Sequence, residues 1–234
     1  MIKKIFKLCK SRLFFHGLLN GIAATVEHED LIRDINPPNT IIDIGSNKGQ
    51  FMILIEKMFP NKTIYSFEPI EEMLQKQKKF FYYKKNVFFN NFALGNEISK
   101  KNFYITSRKD SSSFLKIVEN KSKSKNYEIK EKRKIQINTL DNYFLDKNII
   151  LPILIKIDVQ GFELEVLKGS KKLLKKTDYL LVEVSDSEMY RSQASETALI
   201  EFLKKLNFQI YKSSNWKYIK NTSFNQRDIL FKKQ

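Results

Sequence analysis

The chain is short of the residue types that several kinds of chemistry require. Its 234 residues include one cysteine, Cys9, which leaves no partner for an internal disulfide and no cysteine-rich metal site. Two histidines occur, His16 and His28, and both precede the first motif described below. A histidine base at the heart of a site is therefore not expected. No apolar run approaches the ~20 residues of a membrane-spanning helix. Acid is also scarce: 26 acidic residues face 42 basic ones, for a net charge of +16. A balance this basic permits contact with nucleic acid or an anionic membrane surface. What is present suffices for a core, since 42% of the residues are hydrophobic and 13% aromatic in a length typical of one α/β domain.

The chain is organised around Thr40–Phe51, TIIDIGSNKGQF. Ile41, Ile42 and Ile44 form a β-branched run suited to a strand buried on both faces. Gly45 and Gly49 bracket Ser46, Asn47 and Lys48. Phe51, Met52, Leu54 and Ile55 then recur at helical spacing. Strand, glycine turn and helix follow in order, and such a turn lets a ligand approach the backbone with no Cβ in the way. The helix start beyond it offers free N–H groups. Thr63–Phe67 is the next strand, and Glu68 stands at its tip before Pro69. A carboxylate about 20 residues past a glycine turn is placed to accept the hydroxyls of a ribose.

The close glycine pair of a dinucleotide fingerprint is missing, and Lys48 precedes Gly49 where a phosphate loop needs Gly-Lys-Ser/Thr. Asp43 beside the turn disfavours a phosphate and suits a cationic or amino-bearing ligand. The stretch resembles motif I of class I S-adenosylmethionine-dependent methyltransferases.

Along the chain, Met1–Asn20 carries Lys3, Lys4, Lys7, Lys10 and Arg12 with no acid, among Ile2, Ile5, Phe6, Leu13, Phe14, Leu18 and Leu19. It is either a helix packed on the domain, the preferred choice, or a basic amphipathic helix resting on lipid. Interruption of its apolar residues by charge argues against a secretory signal. Strands are expected at Val87–Asn90, Pro152–Ile157, Tyr179–Val184, Phe208–Tyr211 and Asp228–Phe231, with the last two an antiparallel pair. Helices are expected at 70–83, 162–168 and, capped by Ser195, at 195–206. The segment 100–134 holds 12 basic and 4 acidic residues. Short antiparallel strands are expected within it. Its lysine-rich part, 121–134, is expected to be a solvated loop, with a basic lip over the substrate entrance as the functional alternative. Alternating strands and helices predict a Rossmann-like, mostly parallel seven-stranded sheet with an antiparallel last strand and helices on both faces. Residues 1–38 form an N-terminal helical extension to a 39–234 catalytic domain. Asp43, Glu68, Asn91, Asp158 and Glu183 fall at strand tips on the edge where open α/β sheets bind ligands.

DIGSNKGQF, FEP at 67–69, FALG at 92–95, SSSFL at 111–115, TLDNY at 139–143, IKIDVQGFELEVLKGS at 155–170 and LVEVS at 181–185 together resemble the FkbM-type methyltransferases. The resemblance covers about residues 39–186. It implies S-adenosylmethionine as donor and O-methylation of a hydroxyl on a sugar, glycan or related small metabolite. On that basis Asp43 and Gly45 face the methionine part, and Ser46, Asn47 and Gly49 complete the turn. Glu68, with Pro69, takes the ribose, and Asn91, Phe92 and Ala93 border the adenine, although Phe92 is equally suited to plain core. Asp158 is the candidate base or acceptor-orienting group. Lys156 either pairs with Asp158, stabilises a developing alkoxide, or only shapes the strand end as an ion pair. The family usually has Glu where this chain has Gln160, and an amide is no base.

No metal is expected. A nucleic-acid methyltransferase is disfavoured, because the Asn/Asp-Pro-Pro-aromatic tetrad of base methylases is replaced by DVQG. A donor-binding scaffold without turnover is the other alternative. A cytoplasmic location is expected, and oligomeric state is left open.

Overall fold

The computed structural model describes residue 8 and residues 11–118, 125–219 and 222–234. Helix α1 (Arg12–Leu19) and a short turn lead to α2 (Glu29–Ile32). The first half of the main sheet follows as β1 (Thr40–Ile44), α3 (Gln50–Met58), β2 (Thr63–Phe67), α4 (Glu71–Phe80) and β3 (Val87–Asn90). A smaller sheet comprises β4 (Ala93–Leu94), β5 (Ser99–Thr106) and β6 (Ile129–Asn138). The second half holds α5 (Leu140–Tyr143), β7 (Ile153–Ile157), α6 (Glu163–Lys168), α7 (Lys171–Leu174), β8 (Tyr179–Ser185) and α8 (Glu196–Lys204). The chain closes with β9 (Phe208–Ser213), β10 (Lys217–Tyr218) and β11 (Asn225–Lys233).

The main sheet runs β10-β11-β8-β7-β1-β2-β3, with β9 also paired to β11. β1 lies at its centre, parallel to β2 and β7 and in register at Ile42↔Tyr65 and Ile42↔Ile155. β11 runs antiparallel to β8, β9 and β10. The central parallel strands β1, β2, β7 and β8 are buried on both faces, and the period of two sorts their side chains. Ile41, Ile64, Leu154 and Leu181 join one apolar layer; Ile42, Ile44, Ile155, Leu180 and Val182 join the other.

The first layer is closed by residues that precede β1. Leu8, Phe14, Ile22, Val26, Leu31 and Ile32 share it with Phe51 and Ile53 of α3. Gly17 permits this approach, since a Cβ there would stand 2.9 Å from Ile53 Cδ1. Of the basic N-terminal stretch, residues 1–7, 9 and 10 lie outside the described residues; Phe15 and Leu19 are exposed. Among the described residues, no helix is long and apolar enough to cross a membrane.

Antiparallel pairing is present within 100–134 as expected, but from Ile129 onward the lysine-rich part is strand and not a solvated loop. β5 and β6 form a long antiparallel pair from Ser99↔Ile137 to Thr106↔Ile129. The lysines of IKEKRKI project from a strand that is exposed along most of its length. Residues 121–124 of the expected loop lie outside the described residues. Arg133 binds the Glu72 carboxylate through both terminal nitrogens at 2.8 Å, tying β6 to α4. In the closing pair, β9 runs on to Ser213 and β11 spans Asn225–Lys233, further than expected, and β11 also pairs with β10.

Candidate active site

The turn after β1 is built from backbone that few residues tolerate. Gly45 has φ +74°, and a Cβ on it would stand 1.9 Å from the Asp158 carbonyl oxygen, so β1 and the strand end at Asp158 can touch only through glycine. Gly49 caps α3 in the left-handed region, at φ +88°. Asn47 is left-handed as well, at φ +49°.

Side chains from three elements brace this turn. Ser46 Oγ lies 2.7 Å from Ser66 Oγ. Gln77 of α4 donates to Ser46 Oγ at 2.9 Å and to the Asn47 carbonyl, and accepts from Ser66 Oγ at 2.5 Å. Glu68 closes the arrangement: Oε2 accepts the Asn47 N–H and Oε1 the Ile70 N–H, each at 2.8 Å. Burial raises the Glu68 pKa to about 7 against the pull of those two N–H groups. Asn91 clamps the strand tip from behind, donating to the carbonyls of Glu68 and Pro69 at 3.0 and 3.3 Å.

A cavity of about 220 Å³ opens between this turn and the tips of β7 and β8. Of the residues expected at a site, Gly45, Ser46, Asn47, Glu68, Pro69, Phe92, Ala93, Lys156 and Asp158 line it. Phe92 lines the cavity and also packs edge-on against Phe67. Asp43, Gly49 and Asn91 do not line the cavity and support those that do. Asp43 is fully buried, neither of its oxygens accepts a hydrogen bond among the described residues, and Lys156 Nζ lies 3.6 Å away. Burial raises the Asp43 pKa despite that ammonium. Burial also works against the Lys156 charge, but the Asp158, Asp43 and Glu183 carboxylates outweigh it and hold its pKa above the usual lysine range.

The far end of the cavity is a polar cluster. Lys156 Nζ lies 3.3 Å from Asp158 Oδ2. Gln160 Nε2 donates to Asp158 Oδ1 at 2.8 Å and to Glu183 Oε2 at 3.1 Å, and Gln226 Nε2 donates to the same Glu183 oxygen at 2.9 Å. The Tyr190 hydroxyl lies 2.9 Å from Gln160 Oε1. Asp141 does not line the cavity; it accepts the Lys172 and Leu173 N–H groups at the start of α7. Glu163 is buried and accepts the Val159 and Gly161 N–H groups, and burial raises its pKa to about 7. Glu165 pairs with Lys168 at the surface.

Sequence reasoning missed Gln226 and the wall formed by Tyr127 and Met189, which reach the cavity from about 80 to 180 residues beyond the glycine turn, and Tyr190, which meets Gln160 there. It also missed His28. That side chain packs on Phe51 and lies 3.2 Å from Asp228, beneath the same sheet edge.

A central parallel sheet closed by an antiparallel strand, with a bare glycine turn facing a buried carboxylate across a cavity, defines a class I S-adenosylmethionine-dependent methyltransferase. The profile described as the methyltransferase FkbM domain matches residues 43–210, and the chain belongs to that family. Over 200 residues it is 23% identical to the 2-O-methyltransferase NoeI of Sinorhizobium fredii, covering 82% of each chain. Among solved structures, magnesium protoporphyrin IX methyltransferase from Synechocystis with bound S-adenosylhomocysteine superposes with a TM-score of 0.51 at 13% identity, over 94% of this chain and 83% of that one. M. capricolum TrmK, also with S-adenosylhomocysteine, gives 0.50 at 14% identity, over 90% and 69%. These two share the fold.

The residues present fit this cofactor. Gly45 leaves backbone bare where a Cβ would collide, and Glu68 presents a carboxylate to the cavity wall.

Proposed function

We propose that the protein methylates a hydroxyl of a sugar, glycan or related small metabolite. The observation that carries this reading is a cavity with two unlike ends. At one end the Gly45–Asn47 backbone and Glu68 are suited to an adenosyl donor, with Glu68 as acceptor for ribose hydroxyls and Phe92 and Ala93 beside the adenine. At the other end Asp158, Gln160, Glu183 and Gln226 gather carboxylates and amides, the groups that recognise several hydroxyls on one small ring. The 2-O-methyltransferase name of the NoeI relative agrees with this choice.

When bound, S-adenosylmethionine supplies an electrophilic methyl group on sulfur. The chain's own task is to hold the acceptor oxygen in line and close, which supplies much of the rate of such a displacement. Gly45 and Asp43, the latter through Lys156, set the floor under the methionine part. Lys156 keeps Asp158 fixed at 3.3 Å, and Asp158 orients the acceptor. Tyr127, Met189 and Phe114 wall the polar end and limit water there. Arg108 and Lys109 also line the cavity, as a basic lip at the acceptor side. The enzyme works in the cytoplasm on this reading.

The test is methyl transfer from radiolabelled donor to a panel of p-nitrophenyl glycosides, with bulk RNA as a parallel acceptor. Label in glycosides and none in RNA is expected. Label confined to RNA would overturn the reading.

A further inference from the structure

Position 160 holds an amide, which is no base, so the proton of an acceptor hydroxyl needs another destination. Two carboxylates remain beside it, and their surroundings differ. Both Asp158 oxygens are engaged, Oδ1 by Gln160 at 2.8 Å and Oδ2 by Lys156 at 3.3 Å. Glu183 receives both of its amide donors on Oε2, from Gln160 and Gln226. Its Oε1 accepts no hydrogen bond among the described residues, while the side chain is partly exposed and lines the cavity.

Gln160 is itself held in one pose. Its backbone sits at φ +57°, a conformation that non-glycine residues seldom adopt. Ser113 Oγ donates to its carbonyl at 2.6 Å, and the Tyr190 hydroxyl meets Oε1 at 2.9 Å. With Oε1 turned to Tyr190, the NH₂ group points at both carboxylates. A glutamate here would set a third acceptor against two others; the glutamine joins them through donors instead.

We propose that Glu183 takes the proton of the acceptor hydroxyl, and that Gln160 and Gln226 are positioning residues that hold its carboxylate by one oxygen and leave the other free. This inference rests on the methyltransferase reading of the cavity. In the step, the acceptor oxygen forms its bond to the methyl carbon while the carbon–sulfur bond of the donor breaks and sulfur keeps the pair. The acceptor O–H bond breaks, and its proton goes to Glu183 Oε1, which later returns it to water.

The charged and titratable groups around Glu183 come from several elements. Asp158 follows β7, Glu163 lies on α6, Asp228 is its register partner on β11, and Lys156 lies on β7. Tyr127 and Tyr190 complete the set. Burial together with the Asp158, Asp228 and Glu163 charges pushes the Glu183 pKa well above the ordinary glutamate value, and Lys156 opposes them. A base with a raised pKa stays protonated to a higher pH than an ordinary glutamate. The rate should therefore climb with pH through its titration.

The experiment measures the pH profile of methyl transfer to p-nitrophenyl glycosides for wild type, Glu183→Gln, Glu183→Asp and Gln160→Glu. Donor affinity is read by calorimetry and carboxyl protonation by difference infrared spectroscopy. In Glu183→Gln, kcat should fall about 10²–10⁴-fold, with donor Kd unchanged and the titrating carboxyl band lost. Glu183→Asp should retain a displaced acid limb. In Gln160→Glu the acid limb should move up by about one pH unit, because the added negative charge disfavours the ionised base. Wild-type kcat with an unaltered acid limb in Glu183→Gln would overturn the assignment of Glu183 alone. Wild-type protein that binds no donor would overturn the cavity reading on which it rests.

Discussion

Glu68 and Asn47, 21 residues apart, are joined by a 2.8 Å hydrogen bond from the Asn47 N–H to the Glu68 carboxylate. The glycine turn and the tip of the second strand are therefore one structural unit with a cavity in front of it. Each Glu68 oxygen accepts one backbone N–H and keeps a lone pair free.

Burial raises the Glu68 pKa to about 7, and that of Glu163 likewise. Between the ordinary glutamate range and pH 7 the folded protein holds protons that the unfolded chain has lost. Stability of the ligand-free protein should therefore decline as pH rises through this window. Urea unfolding from pH 5 to 8 checks this, and Glu68→Gln should flatten part of the decline. Donor affinity should rise over the same window as Glu68 becomes a full acceptor.

Gly45→Ala would place a methyl group 1.9 Å from the Asp158 carbonyl at φ +74°. The expected cost is about 3 kcal/mol or more, with donor binding lost because Asp158 and the turn must separate. Thermal unfolding and calorimetry of the variant read both effects. An unchanged melting temperature would contradict this account of the turn.

Gln77 is fully buried and reaches Ser46, Ser66 and the Asn47 carbonyl. Gln77→Leu should cost about 1–3 kcal/mol through polar groups left unpaired and should weaken donor binding without touching the donor. Denaturant titration and calorimetry measure the two separately.

Asp228 lies 3.2 Å from His28 and 3.1 Å from Lys217. Burial alone would raise its pKa, but hydrogen bonding and charge from His28, with Lys217, hold it well below the usual aspartate value. Its stabilisation is thus complete above that usual value and is lost only as pH falls through the lower folded one. Asp228→Asn should cost about 3 kcal/mol at neutral pH, and the gap to wild type should close in strong acid. Acid and urea unfolding of both proteins tests this.

The central sheet was legible because TIIDI, TIYSF, PILIKI and YLLVEV are short, mostly apolar runs of the kind that doubly buried strands require. Gly45 and Glu68 were legible for a different reason: their spacing spans one strand–helix–strand unit, so local geometry fixes their relation. The β6 strand was obscured because IKEKRKI lies on an exposed small sheet and carries charge on nearly every residue, which hides a period of two. The burial of Glu163 is not legible, because it depends on two N–H groups of the preceding turn, a demand that composition does not reveal. Gln226, Tyr190 and His28 reach the sheet edge only through tertiary folding. His28 does so because Val26, Leu31 and Ile32 pack the N-terminal segment under β1.

The most direct test of the account is calorimetric titration of S-adenosylmethionine into wild type and Glu68→Ala. The wild type should bind one equivalent, and the variant should lose at least ~10-fold in affinity, the loss of about one charged hydrogen bond. Equal affinity in the two proteins would contradict the placement of the donor between Gly45–Asn47 and Glu68.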